Sequence, residues 1–424
     1  MKQRFSSVLG IIAHAAAFAV ALLLPSLLFA QAKQVAETSR QLQAIKVVDS
    51  SEEDMPYDVP ASVQPLVQRF KHELRDLIAD TLSAQGPSAT PRSLRDFVIR
   101  ALSQENVKLM PVTAGPNPNP PSADLDRYGL IEDISVERPT EAPNLIAVVT
   151  TLHIPCGADS SVYIFEQKDN RWILALADES KPYPQVNGAR EGFEYSIVPL
   201  SHASRWYLAE SWDSPWCTSA WGSLHYKVVE PGRAAYEPHV ILAGDAGCNR
   251  TYPVRLKATA TTFQLVFVTW QRLDADLWAR NRIVTYDVTK TPPVRVPPLG
   301  TKPEDFLDEW VNLPWAEAAR WIEANNSTKT AQGWHAALAA ATHDELARPE
   351  IDFSQPCEKA ESATAWQIGL SIPVEKGAPK VSNLLYVSIR RRGTDDFVIT
   401  GITTVRPPGC PGETRPLADD LPTE

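Results

Sequence analysis

The chain has 424 residues, with 51 acidic and 41 basic side chains and a formal charge of −10 at neutral pH. An acidic chain is a poor match for nucleic acid, whose binding rests on neutralising phosphates with Lys and Arg. Glycine is scarce, 19 in all, and there is no phosphate-cradling Gly-rich loop, no G-x-S-x-G elbow and no H-E-x-x-H helix, so nothing points to nucleotide, serine-hydrolase or zincin chemistry.

In chain order, Lys2 and Arg4 precede a long apolar run that ends at Ala30-Gln31-Ala32. A charged start, an apolar stretch and an A-x-A site predict a secretory signal peptide over 1–32 and a mature start near Lys33. Losing Lys2 and Arg4 takes the charge from −10 to −12. The alternative is an uncleaved anchor, since about 20 apolar residues can span a bilayer. Pro25 and the small residues that follow favour cleavage. The mature chain is expected to hold no transmembrane segment. Residues 33–60 are polar and read as a disordered leader.

A helical hairpin is predicted over 61–110. "VQPLVQRFKHELRDLIADTLSAQG" places Leu66, Phe70, Leu74, Leu77 and Ile78 on one stripe, and Gly86-Pro87 stops it. His72 falls on its charged side. "TPRSLRDFVIRALSQ" follows, with Thr90 as N-cap and Pro91 at the first helical position. Five prolines between Pro111 and Pro121 then make 111–126 an extended linker.

From 127 to 300 the pattern becomes β. Three blocks of about 45 to 50 residues each show four short strands, the spacing of a β-propeller blade. Three blades do not close a propeller, so this β-domain of three repeat-like units is expected as an incomplete propeller or a β-sandwich. The longest loop of each block is expected between its second and third strands. From 301 to 415 the sequence predicts an α+β module. "PEDFLDEWVN", "PWAEAARWIEA" and "TAQGWHAALAAATHDELA" read as helices, with Asp308 and Glu309 on a solvated face. "AWQIGLSIPV", "NLLYVSIRRR" and "DFVITGITTV" read as a small antiparallel sheet. Residues 416–424 are a tail. The fold class is therefore multidomain: a β-rich core with α+β flanks.

The five cysteines carry no C-x-x-C spacing, which argues against thiol exchange and ribbon-type zinc sites. Export permits disulfides. Cys156 and Cys217 sit in matching inter-strand loops and are the favoured pair, with Cys217–Cys248 the rival. Cys357 and Cys410 flank the last sheet and are expected to bridge, leaving Cys248 reduced.

No constellation predicts catalysis, a metal or a cofactor. Glu210 and Asp213 flank Trp212 and form the only candidate acidic pair, for a glycan-acting hydrolase. Strand alternation otherwise turns Glu210 outward and makes Asp213 a turn residue. His225 reads as a sheet-surface histidine, and His153 likewise. The stretch "WDSPWCTSAW" carries Trp212, Asp213, Trp216 and Trp221, aromatic rings among polar neighbours, the composition of a sugar platform or a protein hot spot. The expected function is an exported, non-enzymatic binding protein of the bacterial-type cell envelope. Its partner would be an envelope protein or glycan.

Overall fold

The computed structural model describes residues 28–45, 58–110, 127–200, 205–216, 220–273, 279–323, 328–343, 348–357, 364–373, 382–393, 396–407 and 410. The apolar run to residue 27, the Pro-rich linker 111–126 and the tail 416–424 lie outside them. The chain divides into two compact units, Met1–Asp245 and Ala246–Glu424. The division falls inside the 127–300 stretch that the sequence suggests as one β-domain.

The first unit opens with a helix over residues 28–43, α1. A disordered leader from residue 33 is therefore corrected. Val35, Ala36, Thr38, Ser39 and Leu42 recur at helical spacing and are buried, and Ser39 Oγ donates to the Gly129 carbonyl at 2.7 Å. An apolar stripe with a docking surface folds, however polar its outer face. The expected hairpin follows as α2 (Val63–Gln85) and α3 (Pro91–Gln104). Thr90 caps α3 as its sequence predicts. Its hydroxyl accepts from the Ser93 amide at 3.1 Å, and the Ser93 hydroxyl accepts from the Thr90 amide at 3.0 Å.

Sheet one is β1 (Leu130–Glu137), β2 (Leu145–Ile154), β3 (Gly157–Lys168) and β4 (Arg171–Asp178). Sheet two is β5 (Glu191–Pro199), β6 (Trp206–Asp213), β7 (Trp221–Glu230) and β8 (His239–Asn249). Both are antiparallel meanders in chain order. The unbroken apolar run of β2 is explained by burial on both faces. Ile146, Val148 and Leu152 pack against Phe70, Leu74 and Ile78 of α2. Leu145, Ala147 and Val149 pack against Trp206, Leu208 and Val229 of sheet two. The unit is thus layered helix, sheet, sheet. Asp169 and Asn170, both at positive φ (49° and 59°), make the two-residue β3–β4 turn.

The second unit holds sheet three, β9 (Arg255–Ala258), β10 (Thr262–Trp270), β11 (Ala279–Asp287) and β12 (Val294–Arg295). Three helices follow: α4 (Pro303–Asn312), α5 (Trp315–Ala318) and α6 (Thr328–Ala341). Sheet four is β13 (Glu350–Pro356), β14 (Ala365–Pro373), β15 (Ser382–Arg391) and β16 (Phe397–Thr403). The four-stranded units thus run three in a row, and the C-terminal helices and small sheet follow them. No sheet closes into a barrel. Sheet four has one strand more than its sequence suggests, β13, whose Phe353 fits where Gly369 lacks a side chain. A Cβ there would lie 2.2 Å from the Phe353 ring. The connection between second and third strands is not the longest in sheet one, where only Pro155 and Cys156 join β2 to β3.

Asp308 and Glu309 are not solvated. Both are buried, because arginines of sheet three cover the side of α4 that faces away from sheet four. Glu309 meets Arg282 at 2.7 Å, Arg295 at 3.0 Å and Arg280 at 3.2 Å. Asp308 accepts from Arg280 and from the amides of Arg272 and Leu273.

Cys357 and Cys410 form a disulfide. It ties the segments that leave the two edge strands of sheet four. Cys248 is a buried thiol. Cys156 is disulfide-bonded. Its expected partner, Cys217, lies outside the described residues. A Cβ at Gly157 would come within 2.9 Å of Pro215.

Candidate functional site

The site grows out of the layer between sheets one and two. On β6, alternation puts Trp206, Leu208, Glu210 and Trp212 on one face. Their cross-strand neighbours on β7 are Val229 for Leu208, Lys227 for Glu210 and His225 for Trp212. The layer therefore changes character in single register steps. Leu208–Val229 is apolar core. Next comes a lysine–carboxyl pair, with Lys227 Nζ 3.0 Å from Glu210 Oε1. Last is a stacked pair, Trp212 over His225 at 5.6 Å. Sheet one repeats the change along β4, where Leu176 is core and Asp178 ends the strand inside the charged zone.

Arg190, just before β5, completes a set of four ionisable groups, three of them buried and Lys227 partly so. Its guanidinium donates to Asp178 Oδ1 at 2.6 Å, lies 3.9 Å from Glu210 and stacks 4.4 Å over the Trp212 ring. Lys227 also pairs with Asp178 and sits 5.3 Å over the same ring.

The two carboxyls respond in opposite directions. Burial pushes Glu210 up, the neighbouring Asp178 charge adds to it, and Arg190 and Lys227 only partly offset them, leaving Glu210 at about 8. For Asp178 burial also acts upward, but Arg190, the proton donated by Glu210 and Lys227 outweigh it and hold the group at about 2. The opposite directions favour a protonated Glu210 beside an ionised Asp178 at neutral pH. Neither Glu210 oxygen has a hydrogen-bond partner of good geometry among the described residues, and nor does Asp178 Oδ2.

The segment 179–190 forms one wall and is pinned at several points. Lys71 of α2 lies 2.6 Å from Asp159 and 2.5 Å from the Ser180 hydroxyl. The Tyr183 hydroxyl donates to Asp159 at 2.9 Å. Gly188 is required by close approach, since a Cβ there would lie 2.4 Å from Tyr183 Cβ. The amide of Ser160 donates to the Arg190 carbonyl at 2.9 Å. On the opposite side, the Ala177 amide donates to Ala235 at 2.8 Å, which brings the connection after β7 beside β4.

Between these walls lies a cavity of about 860 Å³, with Asp178, Arg190, Lys227 and Trp212 in its lining. His72 and Arg75 of α2 reach it too, both 3.3 Å from Glu179. The rim carries Pro182, Pro238, Tyr236 and Val240. Tyr236 and Val240, 58% and 49% exposed, are among the few exposed large hydrophobic side chains. The Arg75 guanidinium lies 4.7 Å over the Tyr236 ring. The volume falls within the few hundred to about 1,000 Å³ of small-molecule sites, and a few placed polar groups among apolar ones are their usual lining.

Of the residues singled out in the sequence, Trp212 lines this cavity; Asp213, Trp216 and Trp221 do not. All four are half-buried. Glu210 and Asp213 are not an acidic pair. Three residues apart on β6, they point to opposite faces, and the carboxyl that meets Glu210 is Asp178. Nor does Glu210 point outward: it is fully buried. Asp178 and Glu210 meet through one ammonium, that of Lys227, which reaches both. His225 is not a surface histidine but is half-buried between Trp212 and the Ser214 hydroxyl, 3.0 Å from its Nε2. Burial and the Arg190 charge lower its pKa against the pull of Asp245.

Sequence reasoning missed Asp178, Arg190, Lys227 and Tyr236. One signal was available. Glu210 shares the parity of Trp206 on its strand, so a core Trp206 implies an inward Glu210, and an inward carboxylate implies buried cations. Among the described residues no group of three or more His, Cys, Asp and Glu is placed to hold a metal ion, and no helix is long and apolar enough to cross a membrane. Comparison with known proteins finds no matching family model and no matching curated protein.

Proposed function

We propose that this chain is an exported, non-enzymatic binding protein of the cell envelope, and that its ligand site is the cavity beside Trp212. Export is read from the 1–32 segment and is supported by the Cys357–Cys410 disulfide, since such bridges persist in oxidising compartments. The observation that carries the binding reading is the combination in one cavity of a charged floor, Asp178 and Arg190 buried and Lys227 partly so, and an exposed Tyr236–Val240 rim. Buried charges are costly, and hydrophobic residues of similar volume would stabilise the fold as well or better. Their retention beside open space fits recognition of a polar ligand.

Tyr236→Ala is the test. Tyr236 is exposed, so Tm should stay within about 2 °C, while loss of a ring that packs on ligand costs ~2 kcal/mol, about 30-fold in affinity. Binding of an envelope extract by wild type and by Tyr236→Ala, compared per folded molecule, measures it. Equal binding by the two proteins would remove the cavity as the site. Trp216→Ala, outside the cavity, reports whether the binding face runs along residues 214–220.

A further inference from the structure

The charges of the cavity narrow what it accepts. Arg75, Lys181, Arg190 and Lys227 face it with Asp178 and Glu179, so fixed cations outnumber ionised carboxylates. This is a local reversal in a chain of net charge −10, and a cleft of one sign with low-dielectric walls concentrates ligands of the other. The two carboxylates are occupied. Asp178 is held by Arg190 and Lys227, and Glu179 by Arg75 and His72. A cationic ligand would have to compete with the cations that each carboxylate already faces. An anion finds donors: Lys181 is exposed on the rim with no ion pair among the described residues, and the Lys227 ammonium has a third N–H beyond its two carboxyl partners. Above the floor, Tyr236 has Arg75 over its ring and more than half its surface open, which suits a ring stacked on its open side.

On the binding reading given above, we infer that the ligand is an oxyanion on a sugar-sized ring, a carboxylate or a phosphate, with its acid group on the Arg190–Lys227 floor and its ring against Tyr236.

Calorimetric titration of the mature chain at pH 6 with glucuronate, glucose 6-phosphate, inorganic phosphate and glucose tests this. Either or both sugar anions should bind at least ten-fold more tightly than glucose, and the tighter of the two identifies the head group. Lys181→Glu, an exposed substitution that leaves the core intact, should weaken that anion several-fold without changing Tm. Glucose binding as tightly as the anions would overturn the charge assignment and leave the binding reading standing. Inorganic phosphate binding as tightly as glucose 6-phosphate would overturn the role given to Tyr236. No heat from any of the four, with Tyr236→Ala also unchanged in extract binding, would overturn both readings together.

Discussion

Glu210→Gln separates two descriptions of the site. If Glu210 is protonated and donates to Asp178, glutamine reproduces it, because the amide N–H₂ donates in the same place. If Glu210 is instead an ionised partner of Lys227 and Arg190, removing its charge leaves buried cations short of an anion, which costs about 3–5 kcal/mol. The pH dependence follows from the raised value. Between the ordinary 4.5 and about 8, the folded chain keeps a proton that the unfolded chain has released. Stability credited to Glu210 is therefore full below pH 4.5 and falls as pH rises toward about 8, by up to about 1.4 kcal/mol per pH unit. Asp178 runs the other way: its contribution builds as pH rises from about 2 to 3.8 and is constant above that. Asp305, raised to about 6, and the lowered His225 and His335 also titrate in this range, so the Glu210 part is read as the difference in slope between wild type and Glu210→Gln. Urea unfolding followed by circular dichroism at pH 5, 6, 7 and 8 should find Glu210→Gln within about 1 kcal/mol of wild type at pH 5 and increasingly more stable than it above that. A loss of 3 kcal/mol or more at pH 7 would mean that Glu210 is ionised.

Glu309→Gln, which leaves Arg280, Arg282 and Arg295 with one carboxylate fewer, should destabilise by about 3–5 kcal/mol and lower Tm clearly in calorimetry; a shift under 2 °C would contradict the network. The three arginines outweigh burial and hold Glu309 at about 2, so its contribution is present above pH 4.5 and is lost as pH falls toward 2, which acid titration of wild type against the variant reads. Cys357→Ser with Cys410→Ser reopens a loop whose ends are 53 residues apart, removing ~4 kcal/mol on the loop-entropy account; unchanged urea stability would show the bridge adds nothing. Mass spectrometry of the exported protein should find a start near Lys33; an intact Met1-initiated chain in the cytosol, with no processed form, would rule out the signal peptide.

Elements with a complete local signal were legible in the sequence. The stripe of α2, the Thr90-Pro91 start of α3 and the strand runs of sheets one to three are all patterns a few residues long. α1 is hidden because its apolar positions in the mature chain are small or isolated, Val35, Ala36 and Leu42, among polar residues. They signal a helix only when Gly129 and the hairpin offer a surface to dock on. β13 was hidden for a related reason, since Phe353 is explained by Gly369 on another strand. The errors of chemistry share one cause. From sequence alone Glu210, Asp308 and Glu309 face solvent, because a carboxylate ordinarily seeks it. Each is buried by cations distant in sequence: Arg190 and Lys227 for the first, Arg280, Arg282 and Arg295 for the others. Pairing across a fold leaves no periodicity to read.

The two buried charge clusters carry different weight as functional signals. Around Asp308 and Glu309, all four carboxylate oxygens accept at least one hydrogen bond, from Arg272, Leu273, Arg280, Arg282 or Arg295. Such a set is closed, and its role is to join α4 to sheet three. Around Glu210 and Asp178 the set is incomplete. Neither Glu210 oxygen nor Asp178 Oδ2 has a hydrogen-bond partner of good geometry, the two carboxyls share Arg190 and Lys227, and the group borders a cavity. A closed network gains nothing from a ligand, because every acceptor is already met. An open one changes its charge by one proton and has cations facing free volume, so a bound anion alters the balance between Asp178, Glu210, Arg190 and Lys227. By linkage, an anion that favours the protonated form of Glu210 binds more weakly as pH rises through about 8. Titration of the same anion at pH 6 and pH 9 should therefore show weaker binding at pH 9 in wild type and less change in Glu210→Gln. Equal pH dependence in the two proteins would place the titrating group elsewhere.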